Sequence, residues 1–140
     1  MIEVPYVLMV DDNELDLELS IMAFKKINHR VPVVTKPSGQ HALDFLLEQQ
    51  VKYLLPEIIF LDLKMPIMDG FELLEKIYLY RLKKFPIIVF SGSGLPEDRA
   101  RVLQLGADAL HEKPFDYFGN IRMFRRIMMH HADHLVPNFA

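Results

Sequence analysis

Glu57-Ile58-Ile59-Phe60-Leu61-Asp62-Leu63-Lys64-Met65-Pro66-Ile67-Met68-Asp69-Gly70 is the stretch on which the fold turns. Four apolar residues in a row, Ile58 to Leu61, are too few for a helix and suit a strand buried on both faces. The run stops at one carboxylate, Asp62. Pro66 forbids a continuing helix, and Asp69-Gly70 marks a turn before the next periodic segment. A carboxylate at the carboxyl end of a buried strand lies where open α/β sheets bind their ligands.

Working outward, Tyr6–Val10 is a second apolar run and ends at Asp11-Asp12. Between Asn13 and Asn28 two periods compete. Leu15, Leu17, Leu19 and Ile21 alternate with polar residues, as in a strand. Helix formers dominate, Gly and Pro are absent, and Leu15, Leu19, Met22, Ala23 and Ile27 fall on helical spacing. Asp12 or Asn13 can cap it, with Glu14 and Asp16 in the first turn, so the segment is predicted helical. Val31–Thr35 is β-branched and carries Pro32, which suits an edge strand. Pro37-Ser38-Gly39 is a turn and His41–Gln50 a helix with Ala42, Phe45 and Leu46 inward. Gly70–Tyr80 is predicted helical with Phe71, Leu74, Ile77 and Tyr78 on one face. Pro86–Phe90 is a buried strand ending at Ser91-Gly92-Ser93-Gly94. Pro96–Leu105 is a helix stopped by Gly106, and Ala107–His111 a short strand before Glu112-Lys113-Pro114. Tyr117–His134 is a last helix with Ile121, Phe124, Ile127 and Met128 inward. Strand and helix alternate five times, which implies a parallel sheet covered on both faces through right-handed crossovers.

The chain has 140 residues, half of them hydrophobic and a quarter charged, and no cysteine. That size fits one domain over residues 1–140, with no output domain. A net charge of −3 gives no electrostatic case for nucleic acid or an anionic membrane. No apolar run spans a bilayer and the N-terminus lacks a signal-peptide pattern, so the expected location is cytoplasmic. Disulfides and thiolate metal sites are excluded.

Asp11-Asp12, Asp62, Ser91 and Lys113 end four of the five strands and therefore share one rim of a parallel sheet. Three carboxylates in one crevice do not all stay ionised without compensation, and a single lysine does not neutralise them. A hard divalent cation with oxygen ligands, Mg²⁺ (or Mn²⁺), is implied. Such a cation, with a lysine and a hydroxyl, handles phosphoryl oxygens. With no cysteine and no Ser–His pair in view, the nucleophile is a carboxylate, and Asp62 is the candidate.

These motifs together resemble the receiver domain of two-component response regulators, of the stand-alone kind. The resemblance covers nearly the whole chain and rests on Val10-Asp11-Asp12, Leu61-Asp62-Leu63-Lys64-Met65-Pro66 with Asp69-Gly70, Ser91-Gly92, Gly106-Ala107-Asp108-Ala109 and Lys113-Pro114-Phe115. It implies an α/β, flavodoxin-like doubly wound (βα)5 sandwich with strand order 2-1-3-4-5. It implies phosphoryl transfer to Asp62 from a sensor histidine kinase or a histidine phosphotransfer protein, with output by contact with a protein effector. Self-phosphorylation and autodephosphorylation would be its only chemistry, so the chain is expected not to be an enzyme in the usual sense. Asp12, Asp62 and the Lys64 carbonyl would bind the cation directly and Asp11 through water, while Ser91 and Lys113 would hold phosphoryl oxygens. Pro114 would follow a cis peptide bond that aims Lys113 inward. The last two strands and helices would form a dimer or partner surface.

Three positions depart from the pattern. Leu110 stands where a switching aromatic is usual, and His111 takes that place only in a shifted register. Gly92 replaces a common alanine, and Lys64 is neither an acid nor an amide. Alternatives are a receiver fold that no longer uses phosphorylation, an Mg²⁺-dependent aspartyl-phosphate phosphatase of the haloacid dehalogenase type, and a flavodoxin-like flavin carrier. The phosphatase wants Asp-x-Asp after its first strand, which is absent, and the acidic first loop does not suit a flavin phosphate. His130 and His134 fall at i, i+4 in the last predicted helix and read better as a surface cluster than as metal ligands. Arg122, Arg125 and Arg126 read as a basic outer face.

Overall fold

Ile58, Ile59, Phe60 and Leu61 are buried on both sides, as a run without polar alternation requires, and with Asp62 they form the central strand β3 (Ile58–Asp62). The computed structural model describes residues 4–137. In chain order the remaining elements are β1 (Val7–Val10), α1 (Glu14–Ile27), β2 (Val33–Lys36), α2 (Gly39–Lys52), α3 (Gly70–Leu79), β4 (Ile87–Ser91), α4 (Pro96–Gln104), β5 (Ala109–Glu112) and α5 (Tyr117–His131), followed by a 3₁₀ turn at Asp133–Leu135. All strand pairs are parallel, in the order β2-β1-β3-β4-β5. The parallel sheet expected from the alternation is observed, in the flavodoxin-like order that the resemblance implies.

The pleat divides the core in two. Leu8, Ile59, Leu61, Val89 and Leu110 face α2, α3 and α4, where Leu46, Leu74, Ile77 and Val102 meet them. Val7, Met9, Phe60 and Phe90 face α1 and α5, meeting Phe24, Ile27, Phe124 and Ile127. Phe60 and Phe90 stack with centroids 5.7 Å apart, and Phe124 meets both edge-on, at 5.0 and 5.9 Å. Aromatic pairs of this geometry add ~0.5–1.5 kcal/mol each beyond their buried area. This cluster lies on the face of β3 that Asp62 shares with Phe60, since residues i and i+2 point the same way.

Several expectations need correction. In α1, Leu15 and Met22 are exposed, and the inward line runs through Leu17, Ile21, Phe24 and Ile27. Tyr78 is 80% exposed, because it lies about 100° around α3 from the buried Ile77; Leu73 takes its place inside. The last helix stops at His131, where Ala132 leaves helical geometry and Leu135 folds back into the core. Its carbonyl accepts a hydrogen bond from Asn28 Nδ2. His130 and His134 therefore do not share a helical face, and His134 Nε2 instead lies 3.1 Å from Glu57 Oε2. β2 begins one residue after Pro32, which has no N–H but still accepts the Val7 N–H at 3.0 Å. Among the described residues, no helix is long and apolar enough to cross a membrane.

Candidate functional site

The carboxyl ends of β1, β3, β4 and β5 bring the expected groups to one rim. Asp62 is the last residue of β3, in register with Phe90, and the ladder continues through Leu63 N–H to the Phe90 carbonyl at 2.9 Å. On the other side of β4, the Lys113 N–H donates to the Ser91 carbonyl at 3.2 Å, so the lysine leaves the sheet beside Ser91. Past β1, the Asp11 N–H bonds the Lys36 carbonyl and extends pairing by one residue.

Asp11 divides its carboxylate between two tasks. Oδ1 accepts the Asn13 N–H at 2.9 Å, while Oδ2 receives Lys113 Nζ at 2.7 Å. Asn13 is the N-cap of α1, its side chain accepting the Asp16 N–H. Lys113 Nζ also reaches Asp16 Oδ2 at 3.1 Å and Asp62 Oδ1 at 3.5 Å. Carboxylate oxygens of Asp11, Asp12 and Asp62 all lie within 4.8 Å of one another, and this is the one such group among the described residues. The donors are hard oxygens, one buried, one half-buried and one exposed, so they fit a divalent cation that keeps water ligands. Lys64 follows two residues after Asp62 and is exposed to solvent.

Burial pushes the Asp62 carboxyl up to about 6; the Lys113 ammonium opposes that rise, and the charges of Asp11 and Asp12 add to it. Burial alone would lower the Lys113 ammonium, but its hydrogen bond to Asp11 and the charges of Asp62 and Asp11 outweigh this and raise it above the ordinary lysine range. The ammonium is permanently charged at neutral pH.

Ser91 is buried, and its Oγ accepts weak bonds from the Ser93 and Gly94 N–H groups at 3.2 and 3.3 Å. Gly94 holds a positive φ of 61°, which lets the loop fold back over the hydroxyl. Gly92 has no such need: a methyl group there would meet nothing within 4 Å.

Leu110 is 1% exposed and pairs in register with Val89. It occupies the α4 side of β5, and His111 lies on the opposite side, near Arg126 and His131, so no shifted register puts a ring in its place. The Lys113–Pro114 bond is trans, contrary to expectation; among the described residues the only cis bond precedes Pro5. The trans form is the ordinary preference even before proline, and the four-carbon lysine stem reaches Asp11 and Asp62 from it. Asn120 Nδ2 donates to the Pro114 carbonyl at 3.3 Å and ties this loop to α5.

Asp16 was legible only as a first-turn acid. Its contact with Lys113 joins residues 97 positions apart, and nothing local signals it.

The family model for the response regulator receiver domain matches residues 7–121, a span that runs from β1 into α5. The chain belongs to that family. Among receiver proteins it is similar to two-component response regulator ORR11 of Oryza sativa subsp. indica, 33% identical over 126 residues that cover 89% of this chain and 81% of that one. In structure it is similar to response regulator RPA3017, described in red light signalling of R. palustris (TM-score 0.82, 19% identity, 97% of this chain and 100% of that one). The phosphorylated cyanobacterial phytochrome response regulator RcpA superposes with a TM-score of 0.79 at 24% identity, covering 96% of this chain and 99% of that one. At those identities the two structures show a shared receiver fold.

Proposed function

We propose that this receiver domain is a phosphoacceptor, with Asp62 as the residue that carries the phosphoryl group. The observation behind this is the placement of Asp62 at the end of β3, in one oxygen cluster with Asp11 and Asp12 and 3.5 Å from the Lys113 ammonium. In the forward step an Asp62 oxygen attacks phosphorus in line, and the P–N bond of a donor phosphohistidine breaks. The leaving imidazole keeps the electron pair. In the return step a water oxygen attacks phosphorus, the bond to Asp62 breaks, and inorganic phosphate and the free carboxylate result.

Lys113 supplies a fixed positive charge beside the phosphoryl oxygens in both steps. Ser91 Oγ, which already accepts two backbone N–H groups, lies 3.3 Å from Ser93 Oγ, a long contact that its own hydrogen would exchange for a phosphoryl oxygen. Asp12, Asp62 and the Lys64 carbonyl would hold Mg²⁺ or Mn²⁺, with Asp11 reaching it through water. Bound there, the cation would neutralise charge that develops on the phosphoryl oxygens. The donor is a histidine kinase or a histidine phosphotransfer protein, and output is by protein contact rather than turnover of a substrate. The α4–β5–α5 face, with Arg122, Arg125 and Arg126 exposed, is the surface we assign to a partner or a second copy. Leu110 brings neither a ring nor a phenol to that output, so the usual aromatic switch has no counterpart at this position.

Incubation with acetyl phosphate, with and without Mg²⁺, tests the reading by intact mass. A Mg²⁺-dependent gain of one phosphoryl group, absent from Asp62→Asn, supports it. An adduct that survives in Asp62→Asn contradicts the assignment, and rapid turnover of small phosphate esters would instead mark a phosphatase.

A further inference from the structure

Lys113 has three N–H groups, and the carboxylates around it are of two kinds. Asp11 and Asp62 belong to the oxygen cluster that fits a divalent cation, whereas Asp16 stands outside it. The ammonium sits 2.7 Å from Asp11 Oδ2 and 3.1 Å from Asp16 Oδ2, but 3.5 Å from Asp62 Oδ1, which is longer than a good hydrogen bond. It is thus drawn toward α1. The other Asp11 oxygen is already engaged by the Asn13 N–H. A cation that uses Asp11, even through water, therefore draws on a carboxylate that already carries the Lys113 charge on Oδ2, and two positive charges on one carboxylate repel. The ammonium needs a second counter-ion to keep it in the crevice while it gives way. Asp16 is in place for that: it sits in the first turn of α1, fixed by its N–H bond to Asn13, and its carboxylate is half in solvent.

We propose that Asp16 is a positioning residue that takes over the Lys113 ammonium from Asp11 as a divalent cation enters, so that lysine and cation occupy the crevice together. The proposal rests on the phosphoacceptor reading of the site. Without Asp16 the lysine stays on Asp11 and opposes the cation. With it, Lys113 stays within reach of Asp62, ready for a phosphoryl oxygen.

The test is a double-mutant cycle read by Mg²⁺ binding, using isothermal titration on the full chain. Asp16→Asn should raise the Mg²⁺ Kd by about threefold to tenfold, the scale of coupling between side chains in direct contact. In a Lys113→Met background, which keeps the stem and removes the charge, the same substitution should shift Kd by less than about twofold, the screened effect of a distant charge. Asp16→Glu should restore binding to near wild type, and thermal melts should show all variants folded. Equal shifts in both backgrounds would mean that Asp16 acts only as a nearby negative charge and would overturn its role toward Lys113. Wild-type protein with no saturable Mg²⁺ binding would overturn the functional reading itself, and this proposal with it.

Discussion

Ile67 follows Pro66 in the loop beyond Asp62; it is wholly exposed and holds a φ of 69°. A β-branched side chain in the left-handed region is strained, by ~1–2 kcal/mol against the right-handed conformation. No burial compensates it. Ile67→Gly should therefore stabilise the fold by about 0.5–1 kcal/mol once glycine's greater freedom in the unfolded chain is subtracted, as read by chemical denaturation. A loss of stability would show that the loop is not strained there. Residues at this scale differ in how far the sequence reveals them. Asp11, Asp12, Asp62, Ser91 and Lys113 stand at strand ends, so the βα alternation is enough to bring them together. Asp16 and the trans bond before Pro114 depend on where a side chain or a loop lands in space. Tyr78 falls i+4 from the buried Leu74 and i+7 from Phe71, so spacing alone puts it inward. Only the packing, which centres the buried face on Leu73, Leu74 and Ile77, shows that it lies beyond the edge of that face.

Turn chemistry links each strand end to the helix after it. Gly70 begins α3 directly behind Asp62, capped by Asp69, whose side chain accepts the Glu72 N–H at 2.9 Å. A methyl group on Gly70 would lie 2.8 Å from Leu63 Cα and 3.0 Å from the Asp62 carbonyl oxygen, both backbone atoms that cannot rotate away. Gly70→Ala should destabilise by ~1–3 kcal/mol, as overpacking does, and displace Asp62 enough to slow phosphorylation. Gly92→Ala is the contrasting control: it meets nothing and should leave stability equal or up to about 1 kcal/mol higher. Melting curves and acetyl phosphate labelling of the pair separate the two cases. The Asp69-Gly70 turn was readable because cap and close approach are local. The end of α5 was not, since Ala132 leaves helical geometry and the following 3₁₀ turn returns Leu135 to the α1 side of the core, where its carbonyl accepts from Asn28. The mixed period of α1 resolves for the same reason: the sheet offers one apolar surface, and the helix turns Leu17 and Phe24 toward it and leaves Leu15 in solvent.

At the scale of the whole molecule, alternation is enough for a parallel sheet covered on both faces, because right-handed crossovers leave few topologies, whereas the strand order itself rests on the resemblance to receiver domains. The rim that results holds more negative than positive charge, and this has a thermodynamic signature. Asp62 is raised to about 6 from an ordinary value of 3.8, so between those values the folded protein binds more protons than the unfolded chain. Stability of the metal-free protein should accordingly fall as pH rises from about 4 to 6 through this group, and stay at the lower value above it. Added Mg²⁺ should recover stability at pH 7, and a chelator should reverse that, measured by thermal melting. Pairing of the acids with a cation also underlies the central claim, that Asp62 is the group phosphorylated. Borohydride reduction of acetyl phosphate-treated protein converts an aspartyl phosphate to homoserine, and peptide mapping then locates it. Homoserine at position 62, formed only when Mg²⁺ is present, is the predicted result. Homoserine at Asp11 or Asp12 instead, or an acid-stable phosphate on Ser91 with position 62 unchanged, would contradict the account.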